Sequence, residues 1–79
     1  MPVKIFLGAT LRQYVPGYDG SKGVDVTLDR EMTVGELCAH MNIPVHEIKL
    51  VMVNGRHQSA NFRLRGDERV GLFPPVGGG

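Results

Sequence analysis

The chain has one cysteine, no block of like charge and no long apolar run, and each shortage removes a class of function. Cys38 alone forms neither an internal disulfide nor a four-thiolate cluster, which fits a reducing compartment. Nine Lys and Arg against eight Asp and Glu leave a formal net charge of +1. The two signs are interleaved, so the charge pattern does not suggest a nucleic-acid partner. No apolar stretch approaches the roughly 20 residues that span a bilayer. Met1-Pro2-Val3-Lys4 does not open a signal peptide, so a soluble, cytoplasmic protein with no membrane partner is expected. Seventy-nine residues make one domain, and a domain this small buries only roughly 60% of its unfolded surface. That leaves little material for a walled catalytic pocket and favours chemistry at a surface or a terminus.

What is present is a set of local structure signals. Val3, Ile5 and Leu7 alternate with Lys4, Phe6 and Gly8 at the strand period of two. Residues 14–23 carry Pro16, Gly17, Gly20 and Gly23 and read as a turn or longer loop, before Val24, Val26 and Leu28 alternate in a second strand. Thr33-Val34-Gly35-Glu36 matches a capping box and predicts a helix start. Val34, Leu37, Cys38 and Met41 then form one apolar stripe, and Met32 is placed to staple onto Leu37. Pro44 predicts an end near Asn42. Leu50 to Val53 followed by Asn54-Gly55 predicts a hairpin returning through Arg56 to Gln58. Residues 59–65 are poorly patterned, with Phe62 and Leu64 as their apolar anchors. Gly66-Asp67 is a turn, Val70 and Leu72 belong to a last strand, and Pro74-Pro75 stops its ladder.

This order predicts an α+β fold: a four- to five-stranded mixed sheet with one main helix on one face, the order of a ubiquitin-like β-grasp. The domain is expected over residues 1–76, with a flexible glycine tail at 77–79. Alternate residues of the Leu50–Val53 run must face away from the helix. With Phe6 and Phe73 they predict an apolar face for a larger partner, unless the long loop covers them.

After Phe73 the sequence reads Pro74-Pro75-Val76-Gly77-Gly78-Gly79. Two prolines favour a stiff extended exit, and glycines without side chains fit a channel too narrow for a Cβ. The terminal carboxylate is then the reactive group of that segment. The β-grasp order, the stretch Gly66-Asp67-Glu68-Arg69-Val70-Gly71-Leu72-Phe73-Pro74-Pro75-Val76 and the terminal glycine pair together resemble the ThiS/MoaD sulfur-carrier family. Val53-Asn54-Gly55 and Thr33-Val34-Gly35-Glu36-Leu37 support the resemblance, and Phe73-Pro74-Pro75-Val76 looks most like the small subunit of molybdopterin synthase.

The resemblance implies a carrier and not an enzyme. The Gly79 carboxylate would be adenylated by a ubiquitin-activating-like adenylyltransferase, which uses ATP and magnesium. Sulfur from a donor such as a cysteine desulfurase would convert it to a thiocarboxylate, for delivery to the large subunit of molybdopterin synthase or an equivalent acceptor. Phe73, Pro74, Pro75, Val76, Gly77 and Gly78 would be the partner-binding residues. The resemblance implies no cofactor bound by the chain itself. The thiamin-thiazole pathway and a ubiquitin-like modifier joined to lysines through Gly79 are the alternatives; a binding module with an idle tail is a third.

Other residues have plainer readings. Cys38 lies on the apolar stripe and reads as core, where a thiol behaves as a small hydrophobe. His40, His46 and His57 lack the spacing of a metal site and read as surface, with Glu36 and His40 spaced as a helix-surface pair. Lys22 precedes Gly23, so the phosphate-loop motif is absent. Arg56, Arg63, Arg65 and Arg69 could dock an acidic surface, although scattered solvated arginines are the commoner case.

Overall fold

The computed structural model describes residues 2–75. Strand β1 (Val3–Leu7) is followed by a 3-10 helix (Ala9–Tyr14), β2 (Val24–Val26), β3 (Met32–Thr33), helix α1 (Val34–His40) and a second 3-10 turn (Val45–Glu47). Then come β4 (Leu50–Val53), β5 (Arg56–Gln58), β6 (Arg63–Leu64) and β7 (Arg69–Phe73). The main sheet has the order β2-β1-β7-β4-β5, and β3 pairs with β6 in a separate two-stranded ladder. Strand β7 is central: it runs parallel to β1, with Ile5 opposite Val70, and antiparallel to β4, with Val51 opposite Leu72. The remaining main-sheet pairs are antiparallel, so the sheet is mixed and the expected β-grasp architecture is present.

Helix α1 begins as its sequence requires. Glu36 N–H donates to Thr33 Oγ1 at 3.1 Å and Thr33 N–H donates to Glu36 Oε1 at 2.8 Å, closing the capping box. The backbone N–H bond from Thr33, the largest influence, holds the Glu36 carboxyl below its ordinary value. Glu36 therefore faces back over the helix start, and no ion pair joins it to His40 among the described residues. The helix stops before Pro44 can act on it. Asn42 takes the left-handed conformation at φ 61, Asn42 N–H donates to the Ala39 carbonyl, and Ile43 N–H donates to that of Cys38 at 2.8 Å. This is a Schellman ending, with the buried pair Ile43 and Cys38 sealing it.

The core lies between α1 and one sheet face: Val3, Ile5, Leu7, Val51, Val53, Val70 and Leu72 from the sheet meet Val34, Leu37 and Cys38 from the helix. Three features differ from the sequence expectation. The segment from Ala9 forms a 3-10 helix that buries Leu11 completely, and Tyr14, Val15 and Tyr18 of the long loop pack against this same core. Tyr18 also accepts the Leu7 N–H at 2.8 Å. The poorly patterned stretch contributes β6, whose Leu64 pairs with Met32 and is fully buried. Strand β2 ends at Val26, short of the expected Leu28, which is half-buried against the core.

Candidate functional site

The expected site has two parts. Val76, Gly77, Gly78 and Gly79 lie outside the described residues, and so does the domain boundary expected at 76/77. Their root does not. Strand β7 ends at Phe73, whose carbonyl accepts the Lys49 N–H at 2.8 Å, and Pro74 and Pro75 follow with no strand assignment. Neither proline has an N–H to extend the ladder.

The start of β7 is held independently. Glu68 is 7% exposed, and its carboxylate accepts the N–H groups of Arg65 (2.8 Å), Gly66 (2.9 Å) and Asp67 (3.1 Å). Burial raises its pKa, but the backbone N–H bonds from Gly66, Arg65, Glu68 itself and Asp67 together outweigh this and hold it below 4.5. Asn54, at φ 52 in the hairpin turn, accepts the Arg69 N–H at 2.9 Å and donates its own N–H to the Arg69 carbonyl at 2.8 Å. The strand that leads to the tail is therefore anchored at both ends. An open groove of about 350 Å³ between Thr27, Leu28, Arg65, Gly66 and Asp67 lies at the Glu68 end, away from Phe73.

The sheet face turned away from α1 carries Phe6, Leu50 and Met52, all half-buried, and Phe73, 38% exposed. Phe6 and Met52 flank Gly71, and Leu50 stands opposite Phe73. The Arg69 guanidinium lies 4.7 Å from the centre of the Phe6 ring, and Lys4 pairs with Asp25 at 3.0 Å. Phe73 is thus the exposed member of the expected apolar face; the long loop packs Tyr14, Val15 and Tyr18 against the core and brings Gly23 close to the Phe6 ring.

The remaining candidates separate. Cys38 is 1% exposed, and burial pushes its thiol up to about 11, so almost none of it is thiolate at neutral pH. His40, His46 and His57 are exposed, and among the described residues no group of three His, Cys, Asp or Glu is placed to hold a metal. Arg63 pairs with Glu31 at 3.5 Å beside the small ladder, and Arg69 stacks on Phe6. No described helix is long and apolar enough to cross a membrane.

A small helix-capped mixed sheet whose central strand leads into the chain's glycine-rich end defines a ubiquitin-like β-grasp protein. The chain belongs to the ThiS family, a family of small sulfur carriers whose model matches residues 9–79. Among solved structures it is similar to SAMP1 from Haloferax volcanii, with 24% identity over 100% of both chains and a TM-score of 0.68. It is similar also to a protein described as molybdopterin converting factor, subunit 1, from Pyrococcus furiosus. That match has 23% identity over 96% of this chain and 99% of the other, again with a TM-score of 0.68. At these identities the two structures show the fold alone. No curated protein sequence matches the chain.

Proposed function

We propose that this protein carries sulfur as a thiocarboxylate on Gly79, loaded by a ubiquitin-activating-like adenylyltransferase and delivered to an acceptor enzyme in molybdopterin synthesis. The observation that carries the reading is the family match, which continues through the glycine end to residue 79. The central strand supports it, since its fixed end at Phe73 is the root from which that segment leaves. The Phe73-Pro74-Pro75-Val76 approach, which resembles that of the molybdopterin synthase small subunit, favours the molybdopterin pathway over the thiazole one, and the name of the Pyrococcus furiosus neighbour accords with it.

The chemistry follows from the electrophile. A carboxylate resists attack because its charge is delocalised and oxide is a poor leaving group. Attack by a Gly79 oxygen on the α-phosphorus of ATP, with magnesium held by the partner, releases pyrophosphate and leaves an acyl-adenylate. A sulfur nucleophile then displaces AMP. When that nucleophile is a persulfide on the donor, a second thiol attacks the donor sulfur, forming a disulfide with it and releasing the Gly79 thiocarboxylate, whose sulfur is a good nucleophile at neutral pH. The carrier itself contributes presentation: a fixed root, an apolar face for docking and a thin tail.

Deleting Gly78 and Gly79 tests the reading. A carrier loses all sulfur transfer in reconstitution with its host's activating and acceptor enzymes while its melting temperature holds. Full transfer by the truncated chain would refute the proposal, and a lysine-linked product of the intact chain would favour the modifier.

A further inference from the structure

Two glycines beside the tail root have no conformational reason to be glycine. Gly8 sits at φ −96, ψ 149, an extended geometry open to any residue, and Gly71 is absent from the positive-φ positions. The backbone strain of this segment falls one residue later, on Ala9 at φ 44, where a glycine would relieve it. What the two glycines share is the Phe73 ring. A Cβ on Gly8 would stand 2.6 Å from Phe73 Cδ1 and 3.2 Å from Cε1; one on Gly71 would stand 3.0 Å from Cε2 and 3.3 Å from Cζ. The ring therefore lies in a slot floored by the end of β1 on one side and by β7 itself on the other. Gly8 N–H donates to the Leu72 carbonyl at 2.9 Å, so the slot is tied to the residue preceding the ring.

We propose that Gly8 and Gly71 are positioning residues, reserving the space that fixes the Phe73 ring at the tail root and so setting how the apolar face and the tail are offered together to the activating enzyme. Phe73 is held by its pairing with Leu50, by its carbonyl on the Lys49 N–H and by its ring in the slot. The first two holds are backbone contacts and survive any side-chain change on this face. The third is the one that decides where the ring's exposed side points. A methyl on Gly8 pushes the ring off its seat because the ring moves more easily than the strand. A methyl on Gly71 asks for a shift of only a few tenths of an ångström, so its effect is smaller. The inference rests on the carrier reading, since it assigns the slot to the loading step.

The experiment uses the full chain and the activating enzyme of its own host, read by ATP–pyrophosphate exchange, with Gly20→Ala as the control. Gly20 would place its Cβ 3.4 Å from the movable Arg12 guanidinium, far from Phe73 in sequence and on the long loop. Gly8→Ala is expected to raise the KM for the carrier about tenfold, Gly71→Ala about threefold and Gly20→Ala not at all, with kcat retained. In a Phe73→Ala background, adding Gly8→Ala changes nothing further, the coupling expected of a contact through the ring. In parallel, nuclear Overhauser contacts between the Phe73 ring and the Hα protons of Gly8 and Gly71 are present in the wild type and reduced in Gly8→Ala.

Unchanged KM in Gly8→Ala while the wild type exchanges normally would overturn the inference and leave the carrier reading standing. Missing ring contacts in the wild type would overturn the slot itself. A wild type that supports no exchange would overturn the carrier reading, and the positioning role with it.

Discussion

The two faces of the main sheet come from the same strands in the same register, yet they differ in how they are finished. The inner face is closed: Ile5, Val70, Leu72 and Val53 are at most 2% exposed under α1, and the same parity along β7 ends in the buried Glu68. The outer face is less fully covered, with Phe6, Leu50 and Met52 half-buried and Phe73 exposed beside Gly8 and Gly71, whose Cβ positions are taken by the Phe73 ring. Alternation along a strand assigns a side chain to a face. What the contrast teaches is that stability is concentrated on the closed face, leaving the open one available for recognition.

Substitutions can break that division. The largest effect is expected at Leu37, 1% exposed in the helix–sheet core: Leu37→Ala should lower the unfolding free energy by about 3 kcal/mol, read by urea denaturation. Glu68→Gln comes next. Glutamine keeps a single acceptor oxygen and turns an NH2 group toward backbone donors, so about 2 kcal/mol should be lost. The pH dependence has a definite sign. The folded pKa of Glu68 lies below 4.5, so its contribution is complete above about pH 4.5 and disappears as the pH falls through the folded value. Acid titration of stability should show a shallower loss in Glu68→Gln than in the wild type. Thr33→Ala removes one half of the capping box and should cost about 1 kcal/mol by the same denaturation assay. On the open face, Phe73→Ala should cost about 1 kcal/mol, less than the core truncation, while abolishing most productive docking with the activating enzyme. A Phe73→Ala chain that is loaded normally would remove the functional half of the contrast.

Much of this was legible in the sequence because the signals were local. Thr33 and Glu36 cap the helix from three residues apart, and Asn54-Gly55 forms its turn with φ values of 52 and 82. Period-two alternation split the Leu50–Val53 run between two faces, and the structure puts Val51 and Val53 on the buried one. The unread parts depend on partners distant in the chain. Strands β3 and β6 are two residues each and exist because Met32 meets Leu64, a pairing no short window contains. The helix end looked like the work of Pro44, whereas Asn42 and the Ile43 N–H complete it earlier. Gly8 stood only in the alternation of the first strand and Gly71 only within the family-like stretch, since a slot for Phe73 is visible only when β1 and β7 lie side by side. For the proposed site, the sequence placed Phe73, Pro74 and Pro75 at the root of the tail. Glu68 stood within the family-like stretch without a stated role, because its role is a set of backbone N–H bonds around a turn.

The most direct test of the central claim is intact and terminal-fragment mass spectrometry of the untagged protein, purified from its host and after incubation with ATP, magnesium, a sulfur source and the host's activating enzymes. The account predicts that one terminal oxygen of Gly79 is replaced by sulfur. A free Gly79 carboxylate under every one of those conditions would contradict it.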